Sequence, residues 1–418
     1  MTRVYLHTFG CKANQYDTEV VRQALELAGA EIVSDPARAD AAVVNSCTVT
    51  HAGEAKMRGL VRRLARRRPD VRTVVMGCAA AVDDGTIAAL PNVAGVVGGA
   101  AVEDVLSALA VDAAAPEPVL RRFARGSRAW LRIQDGCDEH CTFCATTLAR
   151  GANRSRPPAE IVAEAEALAA EHEEIVLTGV HIGTYGRDLD PMATLGELTE
   201  RLVREVPRVR FRLSSIEATE VCDRLADLMV SLPDRLAPHV HAPLQSGSDR
   251  VLKRMGRHWY TAATYRARIE TLAARLPALG LGADVIVGFP GERAADHAAT
   301  RALIQDLPFT YLHVFPYSER PSTAAPRLGS PAPAAVQRER SAELRVLGDA
   351  MGAAYAAARI GGRADVVTTA RRKHRFEGLT GDYLPVYLPT DRSVPPRFAA
   401  RLGTGMDGLL AEPCAERP

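Results

Sequence analysis

The chain has 418 residues, 47% of them hydrophobic and 24% charged, with a formal net charge of +2. These values describe a globular protein of two or three domains and exclude a disordered chain, a fibrous repeat or a uniformly basic nucleic-acid binder. No apolar run is long enough to span a bilayer, which predicts no membrane partner. The start, Met1-Thr2-Arg3-Val4-Tyr5, lacks the charged and apolar regions of a signal peptide, so a cytoplasmic location is expected. Eight cysteines in such a chain point to metal or redox ligands rather than disulfides.

In chain order, residues 4–8, 41–45 and 73–76 read as strands, and 16–27 and 54–67 as helices, the second strongly basic. This alternation predicts an open parallel α/β sheet in a first domain, residues 1–110. Cys11, Cys47 and Cys78 each follow one of the strands. Carboxyl ends of parallel strands share one edge, where such folds bind ligands, so the three thiols are expected to converge. The plain alternative is three buried cysteines.

A linker is expected over 111–126, then a second βα series over 127–358. Its strands lie near 130–134, 175–178, 210–214, 239–242, 283–288 and 311–315, separated by helical patterns such as 158–171, 195–205, 260–276 and 293–307. Six such units predict a partial (β/α)6 barrel with its site at the C-terminal strand ends. A long helix over 331–359 leads to a small β-barrel, residues 359–418, with strands near 364–369, 383–388 and 399–403. Barrels of this size often bind RNA.

The run Gln134-Asp135-Gly136-Cys137-Asp138-Glu139-His140-Cys141-Thr142-Phe143-Cys144 begins just past the first barrel strand. Its C-x3-C-x2-C spacing supplies three thiolates from one loop. A [4Fe–4S] cluster normally takes one protein ligand per iron, so three leave one iron open to an exogenous molecule. Zinc requires a fourth Cys or His at a matching position, and His140 lies between the cysteines, where it strains tetrahedral closure.

These segments together resemble the methylthiotransferase family of radical S-adenosylmethionine (SAM) enzymes. The resemblance runs through Thr8-Phe9-Gly10-Cys11-Lys12-Ala13-Asn14, Asn45-Ser46-Cys47-Thr48 and Met76-Gly77-Cys78-Ala79. It continues through the Cys137–Cys144 run, Leu177-Thr178-Gly179-Val180-His181, Pro243-Leu244-Gln245-Ser246-Gly247, Asp284-Val285-Ile286-Val287-Gly288-Phe289-Pro290 and Phe315-Pro316-Tyr317-Ser318. It covers residues 3–325 in order and spacing. More loosely, Gly378-Leu379-Thr380-Gly381-Asp382-Tyr383 is similar to the TRAM-like RNA-binding barrel that ends these enzymes.

The resemblance implies two [4Fe–4S] clusters and SAM. A cluster on Cys137, Cys141 and Cys144 would cleave SAM to a 5′-deoxyadenosyl radical. A second, on Cys11, Cys47 and Cys78, would carry the sulfur for transfer. Phe143, Gly179, Glu217, Gln245 and Val285 fall where similar enzymes hold SAM, ordinary loop or strand packing being the alternative for each; no side chain stands out as general acid or base. The implied partners are a tRNA anticodon stem-loop, a flavodoxin- or ferredoxin-type electron donor and a sulfur source. Gly10-Cys11-Lys12-Ala13-Asn14 and Asp17-Thr18-Glu19 look most like the branch acting on N6-threonylcarbamoyladenosine in tRNA. The alternatives are isopentenyladenosine in tRNA, an aspartate of a ribosomal protein, or a non-enzymatic RNA-binding protein with structural clusters.

Arginines supply the expected RNA contacts: Arg62 and Arg66 in the basic helix, Arg121 and Arg125 in the linker, with Arg150, Arg154 and Arg156 at the barrel mouth for an anionic substrate group. Ala145-Thr146-Thr147 departs from the usual apolar-Ile-Pro sequence after the third cysteine. Cys222 is expected on a barrel helix and Cys414 in an exposed tail. His181 reads as a loop residue, and His239 and His241 alternate along a strand, which makes them poor metal ligands.

Overall fold

A computed structural model of the chain describes residues 2–48, 50–112, 117, 119–124, 126–320, 322–372, 375–389, 394–405 and 408–414. Arg125 and parts of the expected linker and C-terminal tail lie outside these. Every residue of the strand Ala41–Ser46 is buried, as a strand covered by helices on both faces must be. It is β3 of a sheet that also contains β1 (Arg3–Thr8), β2 (Glu31–Val33), β4 (Arg72–Gly77) and β5 (Val93–Gly98). All pair in parallel, in the order β2-β1-β3-β4-β5.

Helices α1 (Lys12–Leu27) and α4 (Val102–Leu109) cover one face, where Val21, Leu25 and Leu106 pack on Val43. Helix α2 (His51–Arg67) covers the other through Met57, Val61 and Leu64, and α3 (Cys78–Ala81) follows β4 directly. Order reverses between β1 and β3, so the crevice at their carboxyl ends is the topological switch point where open α/β sheets bind ligands.

The second body contains β6 (Arg128–Arg132), a short hairpin of β7 (Gln134–Asp135) with β8 (Arg154–Ser155), β9 (Glu174–Thr178), β10 (Arg210–Leu213), β11 (His239–His241), β12 (Gly280–Val287) and β13 (Tyr311–Pro316). Strands β6-β9-β10 and β11-β12-β13 form two parallel three-stranded sheets. Bridges Phe211–Leu236 and Ser215–His241 join them into the expected partial barrel. Alternation sorts the side chains. Leu131, Ile175, Phe211, Val240, Ala283 and Val314 pack outward in the main core. Glu174, Arg212, His241, Asp284 and Tyr311 alternate with them and line a polar lumen.

The C-terminal strands β14 (Arg363–Arg372), β15 (Arg375–Thr380), β16 (Pro385–Leu388), β17 (Arg397–Gly405) and β18 (Gly408–Pro413) close a barrel in the order β14-β15-β16-β18-β17. Its turn at residues 381–383, which the sequence reading aligned with an RNA-binding module, is inserted against the central barrel. Arg212 donates to the carbonyls of Thr380 and Gly381, both at 2.9 Å. Tyr383 stacks on His239 with ring centroids 4.2 Å apart. Gly280 lies so close to this turn that a Cβ there would sit 2.2 Å from the Asp382 carbonyl oxygen. Among the described residues, no helix is long and apolar enough to cross a membrane.

Candidate functional site

Cys11 sits at the N-cap of α1, Cys47 immediately follows β3, and Cys78 opens α3. The convergence expected from strand order is met around Asn14. The Asn14 Oδ1 lies 3.8 Å from Cys11 Sγ and 3.6 Å from Cys78 Sγ. Its Nδ2 donates to the carbonyls of Phe9 at 3.0 Å and Ser46 at 2.8 Å, pinning the loops before Cys11 and Cys47. Gly10, at φ +105°, allows that approach, since a Cβ there would lie 2.9 Å from Cys47 Cβ. Gly77, at φ +94°, turns the chain into Cys78 with its Cα close to Asn45 Oδ1, which a Cβ would meet at 2.2 Å. Burial raises the Cys78 thiol to about 11, with Arg150 opposing the shift. A thiol so placed ionises when a metal or cation compensates it.

The second triad lies on the loop between β7 and β8. Gln134 anchors this loop: its Oε1 accepts from the backbone of Val180 at 3.0 Å and His181 at 2.9 Å, while its Nε2 donates to Gly136 O and Asn153 Oδ1. Backbone N–H groups of Glu139 and Thr146 point at Cys137 Sγ and Cys144 Sγ, at 3.4 and 3.3 Å. Arg257 Nη1 lies 3.6 Å from Cys141 Sγ, and His181 Nδ1 lies 3.6 Å from Cys137 Sγ. Burial pushes the Cys141 thiol up to about 12. Burial disfavours a charged His181, but hydrogen bonds to Cys137 and Glu220 prevail and raise it to about 10.

Both triads thus consist of three soft sulfur donors, with N–H groups directed at all three sulfurs of the second and at Cys78 in the first, a donor set that suits an iron–sulfur cluster with an open iron. The remaining candidates lie beside the second triad. Arg257 pairs with Glu217 Oε1, and Glu217 Oε2 is buried with no hydrogen-bond partner among the described residues. That orphaned acceptor, on an arginine-linked carboxylate beside Cys141, suits a donor group of a bound ligand. Gln245 holds a left-handed backbone at φ +59° and bridges to Val285, a strained conformation of the kind that clusters at ligand sites. The Val285 side chain itself is fully buried in the main core, so what it presents to a ligand is backbone. Gly179 leaves no room for a side chain: a Cβ would lie 2.7 Å from Gln134 O. Phe143 meets Phe289 edge-on, with ring centroids 6.3 Å apart.

Of the residues beside the cysteines, Arg257 carries no local spacing signal in the sequence, and His181, which reads there as a loop residue, lies against Cys137. Arg150 and Arg156, expected to face an anionic substrate, are otherwise engaged. Arg150 is buried against Asp17, Asp135 and Cys78, and Arg156 pairs with Glu164 at 2.9 Å. Arg154 is the exposed member of that set. Arg62, Arg63, Arg66 and Arg67 form an exposed face of α2, whereas Arg121 pairs with Glu117. Cys222 is exposed just ahead of helix Asp223–Ser231 rather than within it.

Comparison with known proteins gives a consistent assignment. Residues 3–98 match the profile described as "Uncharacterized protein family UPF0004", and residues 131–304 match the radical SAM superfamily. The threonylcarbamoyladenosine tRNA methylthiotransferase MtaB of Bacillus subtilis is 36% identical, over 92% of this chain and 90% of the relative. MtaB of Thermotoga maritima is also 36% identical, over 81% of this chain and 80% of its own length. The tRNA-2-methylthio-N(6)-dimethylallyladenosine synthase of Sorangium cellulosum is 35% identical, over 92% and 85%. Among solved structures, the radical SAM methyltransferase TsrM from Kitasatospora setae shares the fold at a TM-score of 0.57 and 16% identity, over 75% of this chain and 73% of its own.

Proposed function

The chain belongs to the methylthiotransferase family of radical SAM enzymes, and on that premise we propose that it converts N6-threonylcarbamoyladenosine beside the tRNA anticodon to its 2-methylthio derivative. The observation that carries this reading is the pair of three-cysteine sites, set on facing edges of two domains and linked through Arg150. The threonylcarbamoyladenosine branch is supported by the opening motif and by the relatives of that name.

Cys137, Cys141 and Cys144 would hold the [4Fe–4S] cluster that binds SAM, and Cys11, Cys47 and Cys78 a second one. Bound there, these groups supply radical generation at one site and sulfur donation at the other. The chain's own residues position and protect. Glu217 and Gln245 offer hydrogen-bond partners to SAM, Gly179 permits close backbone approach, and Phe143 gives an apolar wall. Arg257 and His181 donate toward the sulfurs of Cys141 and Cys137 and fix the loop. Helix α1 packs on β6, where Trp130 donates to Gln15 and Arg132 to Asp17, and so ties the N-terminal cysteine site to the barrel. The exposed arginines of α2 would meet tRNA phosphates. A flavodoxin- or ferredoxin-type donor, a sulfur source and a cytoplasmic location complete the proposal.

The test is to incubate the anaerobically reconstituted enzyme with stem-loops bearing threonylcarbamoyladenosine, unmodified adenosine or isopentenyladenosine, and to measure 2-methylthio nucleosides by mass spectrometry. Product from the threonylcarbamoyl substrate is expected. Preference for the isopentenyl substrate would overturn the branch, and turnover of none would favour the ribosomal-protein alternative.

A further inference from the structure

The two sheets of the partial barrel meet through β10 and β11, and among the described residues their outer strands β6 and β13 pair only with β9 and β12. The lumen is therefore open between them, with β13 as its rim. Val314 packs outward in the main core with Leu312 beside it, so Tyr311, His313 and Phe315 face inward. Their rings form a ladder, with centroids 5.4 Å apart for the first pair and 6.4 Å for the second. Hydrogen bonds fix what this ladder offers. The Asp284 carboxylate can only accept, and its Oδ1 lies 3.0 Å from His241 Nε2 and 3.2 Å from His313 Nδ1. Both nitrogens are thus donors. His241 Nδ1 then accepts from the Tyr311 hydroxyl at 2.9 Å, which in turn accepts from His239 Nε2 at 2.8 Å. Neutral His313 is left with Nε2 as an acceptor. His241, Asp284 and His313 bring ligand atoms within 4.8 Å of one another, but this network is complete without a cation. The His313 side chain is 54% exposed and Phe315 37%. A single exposed Phe is ordinary. One on an inward row, beside an exposed acceptor, is a place for a flat polar ring. Phe315 pairs with Ile286, one rung beyond Val285, which bridges to Gln245. Just past the strand, Ser318 Oγ accepts from the backbone of His51, shortly after Cys47. The row therefore runs from the proposed SAM residues toward the N-terminal cysteines.

We propose that Phe315 and His313 seat the target adenine, the phenyl ring stacking on the base and His313 Nε2 accepting from its exocyclic N6–H. This rests on the tRNA substrate reading above and goes further by naming the contacts. Bases of single-stranded loops can be splayed out and stacked on aromatic side chains. A stacked base still needs one in-plane contact to stop its rotation, and an acceptor at N6 supplies it. With N6 held, the direction of C2 on the same ring is fixed.

The test uses reconstituted holoenzyme and stem-loops carrying adenine, unsubstituted purine or no base at the target position, with Kd read by fluorescence anisotropy. The unaltered enzyme should bind the adenine loop about 10-fold or more tighter than the abasic one, the worth of a stacked base. Purine, which lacks the amino group, should bind about 5-fold more weakly than adenine, for one lost hydrogen bond. Phe315→Ala should bring the adenine loop close to the abasic one, with abasic affinity and iron content unchanged. Phe315→Tyr should keep the preference for adenine. His313→Leu should bind adenine and purine alike, both more tightly than the abasic loop. A Phe315→Ala variant that keeps the full preference for adenine, or that weakens all three loops equally, would overturn the inference. So would a His313→Leu variant that still separates adenine from purine. Turnover of modified stem-loops by the unaltered enzyme keeps the two readings apart. Absence of methylthio product from every modified stem-loop would remove the tRNA reading, and this inference with it. Product formed alongside any of those contrary binding results would overturn this inference alone.

Discussion

Arg150 holds its Nε 3.3 Å from Sγ of Cys78, although the two residues belong to different domains. Its remaining nitrogens bind Asn14 Oδ1 at 2.8 Å, Asp17 Oδ2 at 2.7 Å and Asp135 Oδ1 at 3.0 Å. Because Arg150 ends the short helix that follows Cys144, and Asp135 precedes Cys137, one planar guanidinium ties the loop of one cysteine triad to the cradle of the other.

Arg150→Gln should therefore act on both stability and the N-terminal iron site. It strips one of two cations from fully buried Asp17, which keeps Arg132, so the loss should stay below the roughly 3 to 5 kcal/mol of an uncompensated buried charge. Arg150→Lys keeps the charge without the fork and should recover only part of that loss. Thermal unfolding and the electron paramagnetic resonance spectrum of reconstituted protein measure the two effects. An unchanged melting temperature together with an unchanged spectrum would contradict this role.

Replacing the triads separately should divide the chemistry. Reconstituted protein should bind about eight irons, and changing Cys137, Cys141 and Cys144 to Ala should remove about half and abolish SAM cleavage. Changing Cys11, Cys47 and Cys78 to Ala should also leave about half the iron, with 5′-deoxyadenosine still formed and methylthio product lost. Iron analysis and product assays decide it. Methylthiolation at the normal rate in the second variant would show that sulfur comes from elsewhere.

What the sequence made legible follows from how local each signal is. The cysteines announce themselves by spacing and by following recognisable strands, so both triads and the two parallel architectures could be read in advance. Strand β2 has three residues, and β5 carries Gly95 and Gly98 within its six, so neither has the periodicity that marks a strand. The donors to the sulfurs come from distant segments: Arg150 reaches Cys78 across 72 positions and Arg257 reaches Cys141 across 116. No window-based pattern contains such pairs. The same limit hid the docking of the C-terminal barrel, which depends on Arg210 and Arg212 meeting residues more than 150 positions away.

That docking predicts a pH dependence. Burial opposes the charge of Glu174, but Arg212, Arg128 and Arg210 outweigh it and hold the carboxyl well below its ordinary value of 4.5. A depressed folded value gives stability that is present above the unfolded value and is lost as pH falls toward the folded one. The chain should therefore lose stability as pH drops below 4.5. Glu174→Gln should be less stable at neutral pH by roughly 3 to 5 kcal/mol, because it leaves buried arginines uncompensated. Its stability should also fall less steeply in acid. Urea unfolding at neutral and acid pH tests both statements, and parallel pH profiles for the two proteins would refute the second.

The exposed face of α2 predicts how tRNA affinity responds to salt. Arg62 and Arg66 stand one helical turn apart and are exposed, with no ion-pair partner among the described residues. Phosphate contacts of this kind add to affinity without reading sequence, and each contributes close to one unit to the slope of log affinity against log salt concentration. Changing both to Gln should lower that slope by about two and weaken threonylcarbamoylated and unmodified stem-loops alike. Filter binding across a salt series with both RNAs measures both effects. A selective loss of the modified RNA in the Arg62/Arg66 variant would show that α2 reads the modified base and not the phosphates alone.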